Sequence, residues 1–326
     1  MPTDHLTTTD PAVLIAAIEQ LVAGGSPDDL AANAGITTTE LLDAADTYRA
    51  AGRIAITDQP SADWYQAHVT IPNWDNAHRI VADRIAPHLD DLCRTGTATG
   101  WWYIRKHPHW RIRINAANPD TTTELADHLN RLRRHLLYET ITTWRPTIYE
   151  PETTAFGGPA GMDIAHGLFA ADARHCLDHH TDPSPAAGIR ETTLVLIGSL
   201  CRGAGLDWFE TLDVWHHVAR LRPRPDNITD TQLRQLGTDV TTLLHATLIN
   251  PMHLLGPGRP LHPIATWAAT FTTAGRALAD AATTGNLHRG LRAVLGHHVI
   301  FHWNRLGLPT RHQILLTHAT IEGEHQ

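Results

Sequence analysis

Lysine is almost missing from this chain of 326 residues: Lys106 is the only one, and the other basic side chains are arginines. The formal net charge is −8, so no positive excess exists to neutralise nucleic-acid phosphates or to hold the chain on an anionic bilayer; neither partner is expected. Cysteine is scarce too. Cys93, Cys176 and Cys201 show no CxxC spacing, and an odd count does not build a disulfide framework. No apolar run is long enough to span a bilayer, and no basic start leads into a signal-like stretch, so a soluble cytoplasmic protein is expected. Familiar catalytic signatures are missing as well: there is no GxSxG elbow, no HExxH, and no P-loop or dinucleotide glycine pattern. Ser199 and Cys201 sit in an apolar helical stretch and read as core.

What is abundant is histidine, 24 in all. His175/His179 and His298/His302 are each spaced i, i+4 on a helix face, and Asp172 shares a face with the first pair. Neither pair stands in a metalloprotease context, and singly scattered cysteines do not make a zinc site, so no metal and no other cofactor is expected.

In chain order, Asp10-Pro11 starts an amphipathic helix with Leu14, Ile15, Ile18, Leu21 and Val22 on its stripe. A short helix over Asp28–Ala32 and a longer one over Thr37–Ala51 follow, the latter with Thr37 and Glu40 at capping-box spacing. Ile54-Ala55-Ile56 reads as a strand. Residues 1–60 thus form a helix-turn-helix-like module. Arg49 and Arg53 there face nine carboxylates, which argues against DNA and leaves peptide docking or scaffolding. Gln59-Pro60-Ser61-Ala62 is the linker candidate, and residues 61–326 form the main domain. It opens with a strand over Tyr65–Ile71 and helix over Asn73–Cys93, with a break at Pro87. A hairpin pairs Trp101–Lys106 with Trp110–Ile114, and alternation places Arg111 and Arg113 on one face. Two adjacent guanidiniums call for an anion, either a structural carboxylate such as Glu150 or Glu152, or a ligand carboxylate or phosphate. A helix over Thr121–Leu137 leads into the next strand. Beyond Asp163 the pattern is helical throughout, over 162–177, 188–204, 207–220, 229–247, 262–283, 286–305 and 309–320. The fold class expected is α+β: strand hairpins packed with a helical C-terminal layer.

The stretch that organises this layout is Tyr149–Arg174. A strand end carrying Thr142, Thr143, Trp144, Ile148 and Tyr149 meets Glu150 and Glu152, then Phe156-Gly157-Gly158-Pro159, then a helix with Ile164, Leu168 and Phe169 apolar. Carboxylates beside a glycine turn and a helix start suit a polar site on a rigid frame; an ordinary strand-loop-helix connection reads the same. Late in the chain, His298, His302 and Arg305 share a helix face with Val294, while His297, Phe301 and Asn304 share a neighbouring one. Such a helix is either the wall of a cleft or a helix whose histidines are solvated or satisfied in the core.

Three strings together resemble the thiopeptide-type bacteriocin biosynthesis domain, similar to the C-terminal elimination domain of lantibiotic dehydratases. They are Trp101-Trp102-Tyr103-Ile104-Arg105 with His109-Trp110-Arg111-Ile112-Arg113, Tyr149-Glu150-Pro151-Glu152 with Phe156-Gly157-Gly158, and Asn304-Arg305-Leu306-Gly307. The resemblance runs from about Trp64 to the C-terminus, and the preceding module looks like what precedes standalone members. It implies maturation of a ribosomally made peptide bearing a leader, with a separate glutamylating dehydratase subunit as a possible second partner. One branch eliminates glutamate from glutamylated Ser or Thr; the other joins two dehydroalanines by formal [4+2] aza-cycloaddition and loses water and leader to form a pyridine.

The elimination branch implies a paired-Arg strand and a Glu, matched by Arg111, Arg113 and Glu152. It also implies an Arg before the aromatic-Gly-Gly and a His four residues before Asn-Arg-Leu, where this chain has Ala155 and Ile300. Cycloaddition asks chiefly for positioning. On that branch His297, His298, His302 and Tyr149 supply proton transfer, and Arg111 and Arg113, fixed by Glu152, orient peptide carbonyls. Trp101, Tyr103, Asn304 and Arg305 complete the substrate-binding set. A third reading is a non-catalytic subunit that binds precursor peptide.

Overall fold

A computed structural model describes residues 10–57, 64–137 and 140–323, and divides the chain into two compact units, 1–59 and 60–326. The first holds three helices. Asp10 accepts the backbone N–H of Ala12 at 2.9 Å and so caps α1 (Pro11–Val22). After α2 (Pro27–Ala34), the Thr37/Glu40 box opens α3 (Thr38–Thr57): Glu40 Oε2 accepts from Thr37 N at 2.8 Å, and Thr37 Oγ1 from Glu40 N at 3.2 Å. Ile18, Leu21, Ala31, Leu41 and Ala45 form this unit's core. The expected strand Ile54-Ala55-Ile56 is instead the last part of α3. No strand is described in this unit for it to pair with, and continuing the helix satisfies its backbone groups internally. The linker candidate Gln59–Ala62 lies outside the described residues.

The second unit begins with β1 (Trp64–Thr70), followed by α4 (Ala77–Arg84) and α5 (Ala86–Arg94), which meet where the Pro87 break was expected. Next come β2 (Ala98–Lys106), β3 (His109–Ala116), the amphipathic α6 (Thr122–Leu136) and β4 (Thr143–Thr147). The strands are ordered β2-β3-β1-β4 and every neighbouring pair is antiparallel, the split βαβ arrangement. Alternation divides the sheet. Ala67, Trp101, Tyr103, Ile112 and Ile114 are buried on one face, where Trp101 Nε1 donates to Asp90 of α5 and the Tyr103 ring meets His78 of α4. Gln66, His68, Trp102, Arg111 and Arg113 occupy the other.

The helical layer comprises α7 (Pro159–Thr181), α8 (Ile189–Gly203), α9 (Trp208–Leu221), α10 (Asp230–Ile249), α11 (Met252–Leu255), α12 (Ala265–Thr283), α13 (Leu291–Leu306) and α14 (Thr310–Glu322). The main chain starts α9 and α10 with capping boxes at Asp207/Glu210 and Thr229/Gln232. From Thr192 to Cys201 α8 is buried on every side, a central helix without a charged residue in that stretch. It meets α12 at glycines: a Cβ on Gly203 would stand 2.2 Å from Thr272 O, and one on Gly275 2.2 Å from Leu200 O. Gly275→Val is therefore expected to lower the unfolding free energy by about 1–3 kcal/mol or more, as overpacking does. Urea unfolding of the full chain checks this; an unchanged midpoint would show that the two helices separate freely. Among the described residues, no helix is long and apolar enough to cross a membrane.

Candidate functional site

Register brings four side chains into one row across the sheet: Trp102 of β2 beside Arg113 of β3, Gln66 of β1 and Thr147 of β4. The Gln66 amide is fixed by donating to Thr147 Oγ1 at 2.9 Å and Ile148 O at 2.8 Å, which leaves Oε1 to accept from Arg113 Nε at 2.6 Å. That bond sets the plane of the guanidinium. Its Cζ lies 4.2 Å from the Trp102 ring centroid and 4.5 Å from that of Tyr149, so the cation is held between two aromatic faces. Glu152 Oε1 is 4.0 Å from Arg113 Nη2, a loose ion pair. Burial draws the guanidinium down to about 10, with Tyr149 and Glu152 opposing, and it stays charged at neutral pH.

Three buried atoms in this group have no protein partner, Arg113 Nη1, Glu152 Oε2 and Trp102 Nε1. Unpaired donors and an unpaired acceptor on residues this close together are free to meet a polar ligand group. Tyr149 is buried; its hydroxyl lies 2.8 Å from His166 Nε2 on α7, and the His166 ring lies 4.5 Å from that of Trp64. Burial, aided by Arg113, lowers His166 to about 4, so this imidazole is neutral at physiological pH. Burial likewise raises the Tyr149 phenol, with Arg113 pulling the other way. Trp64, Glu152 and His166 are half-buried, so the group reaches solvent on one side.

The glycine turn holds Glu152 and Phe156 in place. Glu152 O accepts from Ala155 N and Phe156 N, and Gly157 and Gly158 have φ of 85° and 97°. A Cβ on Gly157 would stand 2.7 Å from Leu287 Cδ1 and one on Gly158 2.7 Å from His288 Nδ1, so both the backbone conformation and the close approach require glycine. His288 N donates to Gly157 O at 2.7 Å, tying the turn to the segment before α13.

The residues expected from sequence divide into several places. Arg113, Glu152 and Tyr149 converge as described. Arg111 lies on the same sheet face, in register with His68 and Ile104, half-buried and without an ion pair among the described residues. Trp101 and Tyr103, expected to bind substrate, are fully buried on the opposite face; the aromatic that meets Arg113 is Trp102, one residue out of phase.

The late helix is mostly buried: His298, His302 and Arg305 all lie in the core. His302 Nδ1 lies 3.0 and 3.1 Å from the two oxygens of the buried Asp172 on α7, and Arg305 Nε donates to Oδ2 at 2.8 Å. Trp267 Nε1 donates to Oδ1, also at 2.8 Å. Burial alone would raise Asp172, yet His302 and Arg305 hold its carboxyl well below the usual range. Asp172 was expected to share a helix face with His175 and His179 on α7; its hydrogen bonds to other helices go to His302 and Arg305 on α13 and Trp267 on α12. The ligand atoms of Asp172, Cys176 and His302 lie within 4.8 Å of one another, but the carboxylate is already committed to a guanidinium and an indole. His298 is buried between Phe156 and Phe169, at ring distances of 4.9 and 5.8 Å, and burial lowers it to about 3. Phe169 in turn packs on Trp102, so aromatic rings stand between His298 and Arg113. His297 is half-buried with Nδ1 3.1 Å from Ala293 O, and Asn304 is half-buried. His78 and His180, stacked at 3.7 Å, reach Arg305 O and Leu306 O and anchor the end of α13.

Gln66, Trp64, Trp102 and His166 escaped the sequence reading. For His166 a signal existed: it interrupts the apolar line Met162, Phe169, Ala173 on α7, where a polar residue needs a partner.

A small antiparallel sheet with a polar, arginine-bearing face, backed by a large helical layer, defines the class of fold. Residues 64–322 match the lantibiotic biosynthesis dehydratase C-terminal family, and the chain belongs to that family. Among solved structures, the tRNA-dependent lantibiotic dehydratase MibB from Microbispora sp. 107891 is similar with a TM-score of 0.56 and 17% identity. The match covers 80% of this chain and only 28% of MibB. TsrL is similar at a TM-score of 0.54 and 17% identity, covering 80% of this chain and 95% of TsrL. The pyridine synthase TbtD from thiomuracin biosynthesis gives 0.51 and 14%, covering 80% of this chain and 97% of TbtD. At these identities the likeness is one of fold. No curated protein matches the chain.

Proposed function

We propose that this chain matures a ribosomally made peptide by joining two dehydroalanines in a formal [4+2] aza-cycloaddition, followed by loss of water and of the leader as a carboxamide. The observation that carries this reading is the Arg113 guanidinium held between Trp102 and Tyr149 with Nη1 unpartnered, beside the neutral His166. Flat aromatic faces suit planar, conjugated substrate groups, and the free N–H suits the carbonyl that joins them. Holding two alkenes in reactive geometry removes up to roughly 7–11 kcal/mol of barrier, which is most of what such a reaction asks of a protein. The matches to TsrL and to the pyridine synthase TbtD, each over nearly its whole length, support it as well.

Glutamate elimination is the second reading, favoured by one contact. The arginine that the elimination branch implies at position 155 is absent, yet Arg289 Nη1 donates to Ala155 O at 3.1 Å and so brings a guanidinium to the same turn. Mass spectrometry after incubation with a dehydrated precursor peptide and, separately, a glutamylated one decides. The dehydrated peptide is expected to lose water and the leader carboxamide. Release of free glutamate from the glutamylated peptide alone would replace this reading with elimination, and no mass change in either peptide would leave a binding subunit.

A further inference from the structure

The Tyr149–His166 contact joins the segment after β4 to α7, the helix that follows it. Tyr149 Oη lies 2.8 Å from His166 Nε2, and in the tautomer that carries the ring proton on Nδ1 the phenol donates to Nε2. Trp64 flanks both rings, at 4.5 Å from His166 and 5.2 Å from Tyr149, and fixes their mutual orientation. The Arg113 cation lies against the Tyr149 ring, where it stabilises negative charge developing on the phenol oxygen. The charged groups around the pair are Arg113 and, beside Tyr149, Glu152.

We propose that His166 is the proton acceptor behind Tyr149: a proton leaving the substrate passes to Tyr149 Oη as the phenol's own proton passes to His166 Nε2. The inference rests on the peptide-maturation reading above and names the acid-base device of that site. For the cycloaddition, the N–H of the substrate amide breaks and its electron pair becomes the C=N bond, while the carbonyl π pair moves to oxygen. The imidazolium then returns a proton through the same hydroxyl to that oxygen. The substrate has exchanged N–H for O–H, the azadiene is formed, and the pair is restored.

The test uses the full chain and a dehydrated, leader-bearing precursor peptide. His166→Ala is expected to lower kcat about 10²–10³-fold with KM little changed, the range for a general base. Added imidazole, filling the space beside Trp64, is expected to restore part of the rate, and the rescue should grow with pH as more of it becomes free base. His166→Gln keeps an acceptor for the phenol without the ability to take a proton; it is expected to fold normally, as read by thermal unfolding, and to stay as slow as His166→Ala. An undiminished kcat in either variant, an effect confined to KM, or a loss that imidazole does not restore would overturn the role. Inactivity of the wild-type chain on this peptide would instead overturn the cycloaddition reading, and the two failures are distinct.

Discussion

Replacing Asp172 by alanine is expected to destabilise the second unit by about 3–5 kcal/mol, the usual cost of stranding one partner of a buried ion pair. Asp172 is fully buried and accepts from Arg305, Trp267 and His302, which come from two other helices. Without it Arg305 becomes a buried cation left against the Phe169 ring, 4.5 Å from its Cζ. Paired replacement of Asp172 by Leu and Arg305 by Met should cost less than Asp172→Ala alone, because the stranded charge goes too. Acid supplies an independent check. A carboxyl held below its ordinary value stabilises the fold above the unfolded value near 3.9 and loses that contribution as pH falls toward the folded one. The wild-type advantage over Asp172→Asn in guanidinium unfolding should therefore be complete at pH 6 and shrink below about pH 4. Equal stability at pH 6 would mean that the cluster is incidental.

This cluster also marks where the sequence ceases to be legible. The shared face of His298, His302 and Arg305 follows from helical spacing alone, and so do the capping boxes at Thr37/Glu40, Asp207/Glu210 and Thr229/Gln232, because each depends on neighbours three or four residues apart. What lies opposite a face is set by packing. Asp172 meets His302 across 130 positions, and no local pattern distinguishes a cleft wall from a core helix closed by a distant carboxylate. The three-residue run at Ile54 was misread for a related reason: β-type composition matters only where a partner strand exists, and here the helix ran on.

At the sheet the alternation was legible but its sense was not. Period two places Arg111 and Arg113 together and Trp101 with Tyr103, yet which set faces the core depends on where α4 and α5 pack. The same ambiguity hid Trp102 and Gln66. Gln66 looks like an ordinary strand residue until Thr147, 81 positions later, fixes its amide.

Arg113→Lys and Arg113→Met together separate function from folding at the site. Lysine keeps the charge but cannot match the fork that bonds Gln66 with Nε while presenting Nη1, nor cover the Trp102 and Tyr149 rings as the guanidinium does. It is expected to reduce kcat/KM for the dehydrated precursor peptide by about 10²–10³-fold, the scale of one lost donor at a developing oxyanion. Methionine removes a buried, loosely paired cation and lets Glu152 regain water, but leaves Gln66 Oε1 without its donor, so stability should change by no more than about 1–3 kcal/mol while activity falls as far. Activity and stability moving apart is what separates a group kept for a ligand from one kept for the fold. Arg111→Lys, at a half-buried place on the same strand face, is expected to act mainly on KM if Arg111 meets the peptide rather than the reacting amide. Turnover read by mass spectrometry beside urea unfolding measures both quantities. Should Arg113→Met lose stability and keep its turnover, the guanidinium serves the sheet, and the reacting centre lies elsewhere on the chain.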